Sequence, residues 1–221
     1  MIDFKNTQVM NLDGAVRGMR QPMQSHEKSD SHWSYIEDKD TLLTVPFEFF
    51  VGDNDLDLMK RLCKAGSDHR KFLRQIFVSV DITSAMYWWK EFDTYKIATV
   101  ANSTSTMHKI HAKEIESSDF SMDHMNDAGA NVFEEYIAKI EEQRKLFVET
   151  KDRNYWYTMI QMLPSSYNQT RTVTLNYEVL FNMYHSRKNH KLWEWHCFCD
   201  WCAELPYFLE LYDAAYKTEQ E

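Results

Sequence analysis

Between Asn131 and Thr150 the apolar residues Val132, Phe133, Tyr136, Ile137, Ile140 and Phe147 return at three- and four-residue spacing, with Glu and Lys filling the other side. That period places them on one stripe of a helix, and a stripe of this length must be buried against another layer. Phe72 to Ile82 (FLRQIFVSVDI) has a different rhythm, β-branched and aromatic with partial alternation, which predicts a strand. No Gly/Pro/Ser-rich linker separates helical from extended segments, so one α+β domain fits better than two.

The other elements follow from local signals. Leu56, Met59, Leu62 and Cys63 share a helical face within residues 54–65, with Asn54 or Asp55 as N-cap and Gly66 as the stop. Trp156 to Leu163 leads into Pro164, which closes that element. Arg171 to Asn176 is β-rich, and Tyr177–Arg187 and Leu192–Leu209 read as helices, the second broken or ended by Pro206. The first 45 residues are polar, with turn signals at Asp13-Gly14 and Gln21-Pro22, and read as an N-terminal arm. The expected division is therefore an arm over 1–45 and a domain over 46–221.

Composition removes several function classes. Net charge is −9, which disfavours nonspecific binding to duplex nucleic acid or an anionic membrane yet leaves room for a small phosphorylated ligand held by two or three local cations. No run reaches the roughly 18 apolar residues of a membrane span. The first residues lack a basic-then-apolar leader, so the expected location is cytoplasmic. Of the four cysteines, Cys197, Cys199 and Cys202 lie within six residues, too close for a disulfide framework. Cys199 and Cys202 with His196 offer one zinc-type knuckle, but the second is missing, and the same face equally suits core packing; no metal is expected. There is no P-loop, no G-x-G-x-x-G after a strand, and no hydrolase triad.

The stretch LPSSYNQTRTVTLNYEVLFNMYHSRKNHKLWE, from Leu163 to Glu194, carries the most specific pattern. Asn176 lies twelve residues after Pro164, Asn182 and Arg187 follow at offsets of six and five, and Trp193-Glu194 comes next. This arrangement resembles the C-terminal half of the flavin-dependent thymidylate synthases, whose motif opens with LP-x-x-x-Y. On a helix, positions 176, 180, 183 and 187 form one ladder, with Asn182 read as close beside it.

The family's first motif, roughly R-H-R-x-x-S-x-N-E-x-S-x-R, is matched less fully by residues 88–107. Asn102 and Ser105 keep their spacing, and Lys90 stands for the first arginine. Glu91 and Phe92 fall where the histidine and second arginine stood, and Met107 and Ile160 replace further arginines. Lysine for arginine is not a conservative exchange at a bidentate phosphate contact.

The resemblance implies an α+β fold with a mixed or antiparallel sheet packed by helices, assembled as a homotetramer with active sites between subunits. It also implies reductive methylation of dUMP at C5, with methylenetetrahydrofolate as one-carbon donor, FAD as hydride carrier and NADPH as reductant. Carried over residue by residue, it makes Ser67, His69, Lys90, Asn102, Asn176 and Asn182 flavin contacts. Tyr87, Lys90, Ser105 and Arg187 become nucleotide contacts, with Arg187 also stabilising charge on the pyrimidine. Arg17 and Arg20, with Lys90 and Lys96, are candidates to replace the missing arginines, and Trp88-Trp89 is a candidate wall for the flavin ring. Two alternatives stay open: a non-catalytic flavin- or nucleotide-binding relative, and an enzyme for another pyrimidine nucleotide.

Overall fold

A computed structural model describes residues 1–37 and 44–216. In chain order the elements are β1 (Ile2–Met10), α1 (Leu12–Arg20), β2 (His32–Glu37), β3 (Thr44–Phe50), α2 (Asp53–Lys64), β4 (Phe77–Ala85), α3 (Met86–Phe92), β5 (Val100–Ser103), α4 (Thr106–Lys109), α5 (Asp127–Thr150), α6 (Arg153–Met162), β6 (Asn168–Asn176), α7 (Tyr177–Arg187), α8 (Trp193–Ala203) and α9 (Phe208–Tyr216). The expected α+β class is observed. One four-stranded sheet runs in the order β1-β4-β6-β5, and β2 and β3 form a separate antiparallel pair with a register shift at Ser34/Tyr35. The chain divides into two compact units, one of residues 1–6, 80–96 and 100–173, the other of 7–79, 97–99 and 174–221.

In the first unit, α5 and α6 pack together around Ile137, Ile140 and Met159, joined by Ile110, Ile115 and Phe120. The amphipathic stripe at 131–150 is thus a real helix, begun by Asn126, whose side chain accepts from the Gly129 amide at 2.8 Å. Lys151 in the left-handed region ends it, and α6 ends ahead of Pro164. Trp88, Trp89 and Phe92 are wholly inside. Both tryptophans are therefore core residues, edge to face at 4.9 Å, and neither is an exposed wall for a ligand ring.

The second unit is organised around aromatic side chains of α7 and α9. Phe181 meets Phe208 at 5.0 Å and Tyr177 meets Phe208 at 5.6 Å, both edge to face. Buried side chains of this size contribute about 1.5–3 kcal/mol each. Tyr177–Arg187 is the helix expected, and the long segment after Leu192 is split into α8 and α9 around Pro206.

Three expectations need correction. The strand read at 72–82 begins at Phe77, because Lys71–Gln75 forms a 3-10 turn. The N-cap of α2 is Gly52, and its free amides at Asn54 and Asp55 donate to the Asp30 carboxylate at 2.9 and 3.2 Å. The polar first segment is not an irregular arm: it contains β1 at the sheet edge and α1. β1 is mostly exposed, so it lacks an alternating apolar signal, and α1 holds two glycines that argue against a helix in the sequence. A Cβ would meet Asn11 Oδ1 at 2.2 Å at Gly14, whereas at Gly18 it would meet the end of the Gln75 side chain, Oε1 at 2.3 Å, which can shift aside.

Candidate functional site

The first unit holds a cavity of about 460 Å³, within the usual range for small-ligand sites. Two hydroxyl-bearing strand residues form its floor, Thr83 and Thr170, whose oxygens share a hydrogen bond of 2.7 Å. Ser105 stands at one side as the N-cap of α4, its Oγ accepting from the His108 amide at 3.2 Å. Ile110 and Ile115 supply an apolar wall, while Lys109, Lys113, Asp119 and Tyr167 supply charge and a phenol.

Its electrostatics follow from these neighbours. Lys113 pairs with Asp119, which holds the ammonium above its ordinary value. Burial pushes the Tyr167 phenol upward, reinforced by the Asp119 carboxylate, so it stays protonated and able to donate at neutral pH. Asn168 also lines the cavity. Its Oδ1 accepts from Ser121 Oγ at 2.7 Å, whereas its Nδ2 is buried with no hydrogen-bond partner. A buried amide donor left in this state costs about 1–3 kcal/mol.

Ser105 belongs to the first sequence motif and Tyr167 to the second, so the fold brings parts of both motifs to one cavity. Lys109, Lys113 and Asn168 were not singled out by sequence reasoning. The available signal was the four-residue spacing of two lysines in MHKIHAK, directly after the motif that lacks its arginines. The remaining first-unit candidates lie elsewhere in that unit. Lys90 is exposed on α3, Asn102 is exposed on β5, and Tyr87 lines a separate depression with Asp123, His124 and Ser165.

In the second unit, Asn176 is buried and caps α7, its Oδ1 accepting from the Val179 amide at 3.1 Å. Leu180 and Met183 continue its ladder into the core, and Arg187 closes it with its guanidinium 4.6 Å from the Trp195 ring. A cation in the last turn also complements the helix dipole. Asn182 is not beside this ladder. Successive residues turn by about 100°, so it falls on the far side, and it is exposed. Ser67 and His69 are exposed in the turn that follows Gly66, whose φ of 106° ends α2.

Arg20, a proposed nucleotide contact, is committed within the protein. Its Nε donates to Asp55 Oδ1 at 2.5 Å, and its terminal nitrogens donate to the carbonyls of Ser25 and Lys28. Asp55 in turn accepts from Ser29 Oγ at 2.6 Å and Ser31 Oγ at 2.7 Å. Both charged residues are buried, so this is a structural knot. Arg17 is exposed and paired with Asp13 at 2.7 Å.

The cysteines are free thiols. Burial pushes Cys63 and Cys199 up to about 12 and Cys202 well above its ordinary value, which leaves them poor nucleophiles and poor metal ligands. Among the described residues no three His, Cys, Asp or Glu side chains gather to hold a metal ion. No described helix is long and apolar enough to cross a membrane.

No family model matches the sequence, and no curated protein matches it. Solved structures do. Thymidylate synthase X from Helicobacter pylori, crystallised with FAD and dUMP, shares 18% identity and superposes with a TM-score of 0.65 over 97% of this chain and 98% of its own. A second structure of the flavin-dependent enzyme from the same organism, also complexed with FAD and dUMP, gives 19% identity and a TM-score of 0.66 over 96% of this chain and 98% of its own. The chain therefore has the fold of flavin-dependent thymidylate synthases along nearly its whole length.

Proposed function

We propose that this chain, which carries the fold of flavin-dependent thymidylate synthases, binds FAD and a pyrimidine nucleotide and methylates the nucleotide at C5. The observation that carries the reading is the meeting of Ser105 and Tyr167, one from each motif, at a cavity that also holds two lysines. The neighbouring structures contain FAD and dUMP, which supports the same ligand pair here. Methylenetetrahydrofolate as one-carbon donor, NADPH as reductant, the homotetramer and a cytoplasmic location belong to the proposal by resemblance.

The donors present suit these ligands. Ser67, His69 and Asn182 are exposed, and their side chains hydrogen-bond no other described residue, so they are available to a flavin. Lys90 and Asn102 are likewise exposed in the first unit. Asn176 keeps its amide nitrogen for a ligand while its oxygen serves the helix. Bound in reduced form, the flavin supplies the hydride.

The chain's own residues orient and polarise. Lys109 and Lys113 bring positive charge to a nucleotide phosphate, in place of the arginines absent at Met107 and Ile160. The Tyr167 hydroxyl offers a neutral donor to a uracil carbonyl or the sugar. Ile110 and Ile115 restrict water on one side of the cavity, which strengthens those contacts. Arg187 remains the candidate to stabilise negative charge on the ring.

The test is the visible spectrum of the purified chain after loading with FAD and desalting, followed by calorimetry with dUMP and turnover with methylenetetrahydrofolate. Retained flavin and nucleotide binding are expected, and Lys109→Ala with Lys113→Ala should weaken dUMP by at least about tenfold, the value of one charge-assisted contact. A chain that takes up neither flavin nor dUMP sinks the proposal. The loss of three family arginines and the histidine favours a second reading, a binding protein without turnover; retained ligands with no product would establish it.

A further inference from the structure

The second unit holds another cavity, of about 770 Å³, that none of the flavin or nucleotide candidates lines. Its aromatic walls are Trp33, Phe47, Phe49 and Phe50 of the β2–β3 pair, with Trp201 of α8 and Tyr207 from the turn before α9. Several of these rings face water: Phe47 is 64% exposed, Phe50 40% and Trp33 38%. Exposed rings clustered around a hollow are an unusual use of apolar surface and mark a binding face.

The walls are pinned in place. The Val51 amide donates to the Tyr207 hydroxyl at 3.1 Å, and the Trp201 indole donates to Thr7 Oγ1 at 3.1 Å. Tyr207 itself has a φ of 60°, a left-handed conformation that a bulky residue adopts only when its surroundings enforce it. The cavity is therefore preformed, which lowers the entropy cost of filling it.

Charge selects the occupant. Asp13, Glu48, Glu204 and Glu210 line the same cavity, and no Lys, Arg or His does so among the described residues. Asp13 and Glu210 already have cation partners in Arg17 and Lys60, at 2.7 and 2.6 Å, and all four carboxylates repel an anionic ligand. A neutral apolar ligand would desolvate carboxylates without compensating them. A bare metal ion is disfavoured because no three described ligating groups converge. Aromatic faces and carboxylates together recognise a cation whose charge sits on an apolar head.

We propose that this cavity binds a small organic cation, a quaternary or alkyl-substituted ammonium seated among Trp33, Phe47 and Trp201 with Glu204 as counter-charge. The volume of this open hollow suits a small molecule.

Choline and its uncharged isostere 3,3-dimethylbutan-1-ol are the probes, titrated into the full chain by calorimetry and tryptophan fluorescence. Choline should bind saturably, and the alcohol at least about tenfold more weakly. Phe47→Ala, at a solvent-facing ring, and Glu204→Gln should each weaken choline about tenfold, with circular dichroism melts showing that the fold is intact. Equal binding of the two probes, no saturable choline binding, or indifference to both substitutions overturns the proposal. Saturable binding of an oligolysine peptide with none of choline would overturn it too, in favour of a protein partner. None of these readouts depends on flavin or nucleotide binding, so this inference and the proposed function fail separately.

Discussion

Residues 163–216 and residues 1–37 form the two ends of the chain, and they hold their shape in different ways. The C-terminal stretch takes its element boundaries from local rules, although distant polar contacts such as Trp201 to Thr7 also tie it down. Pro164 follows the end of α6, Asn176 caps its own helix three residues on, and apolar positions of α7 recur at the helical period. The N-terminal stretch is held by polar contacts to distant residues. Asn6 donates to Asp81 at 2.7 Å, Asn11 donates to the Gln75 carbonyl at 2.9 Å, and Arg20 is paired with Asp55. A pattern within ten residues can be read from sequence; a partner 35 to 75 residues away cannot.

The sharpest break is at Asp55. Replacing it by alanine leaves the Arg20 guanidinium buried without a counter-charge, which should cost about 3–5 kcal/mol. Against a typical total of about 5–15 kcal/mol, that loss is enough to unfold much of the protein on warming. Removing Asp13, whose pair with Arg17 is exposed, should cost less than about 1 kcal/mol. Thermal melts of the two variants make the comparison, and equal shifts would refute the claim that the knot organises this end.

Acid should act through the same group. Burial pushes the Asp55 carboxyl up, but hydrogen bonds from Ser29, Ser31 and Arg20 outweigh it and hold the carboxyl below the ordinary 3.8. A lowered folded value stabilises the protein fully above that ordinary value, and the contribution is lost as pH falls through the folded one. Denaturant melts at descending pH should show the wild type losing stability below about pH 4 and Asp55→Asn lacking that component.

A second break lies at Gly52. A Cβ there would sit 2.7 Å from the Asp30 carbonyl carbon and 2.2 Å from its Cγ. The clash includes backbone as well as side chain, and the displaced carboxylate is the one that caps α2. Gly52→Ala should therefore cost about 1–3 kcal/mol by overpacking, read from denaturant midpoints. An unchanged midpoint would mean that α2 does not depend on its borrowed cap.

The candidate site divides along the same line. Ser105 is legible as a contact, and Tyr167 only as part of the LP-x-x-x-Y turn, because motif spacing is a local property; both line one cavity. Lys109, Lys113 and Asn168 were passed over because what assembles them is the way the strands and the α4 segment come together. Arg20 was read as a ligand contact since sequence shows a cation in a polar stretch and not the buried aspartate it answers. Asn182 was misplaced for a simpler reason. Two residues beyond Leu180 is about 200° of turn, which carries the side chain away from the ladder and into solvent.

The smallest effect tests where structure and function overlap. Asn176 serves α7 through its oxygen, so Asn176→Ala should lose about 1 kcal/mol of stability. Asn176→Asp keeps a capping oxygen and favours the positive end of the helix dipole, and should restore that loss. The aspartate cannot donate through its side chain when ionised, so an amide that also holds flavin would show itself separately. Stability restored while flavin retention stays low would assign both duties to Asn176, one to each side-chain atom. Flavin retention that simply follows the melting temperature through all three proteins would leave it a helix cap alone, and the likeness of its motif to the cofactor-binding family would at that position reflect the fold.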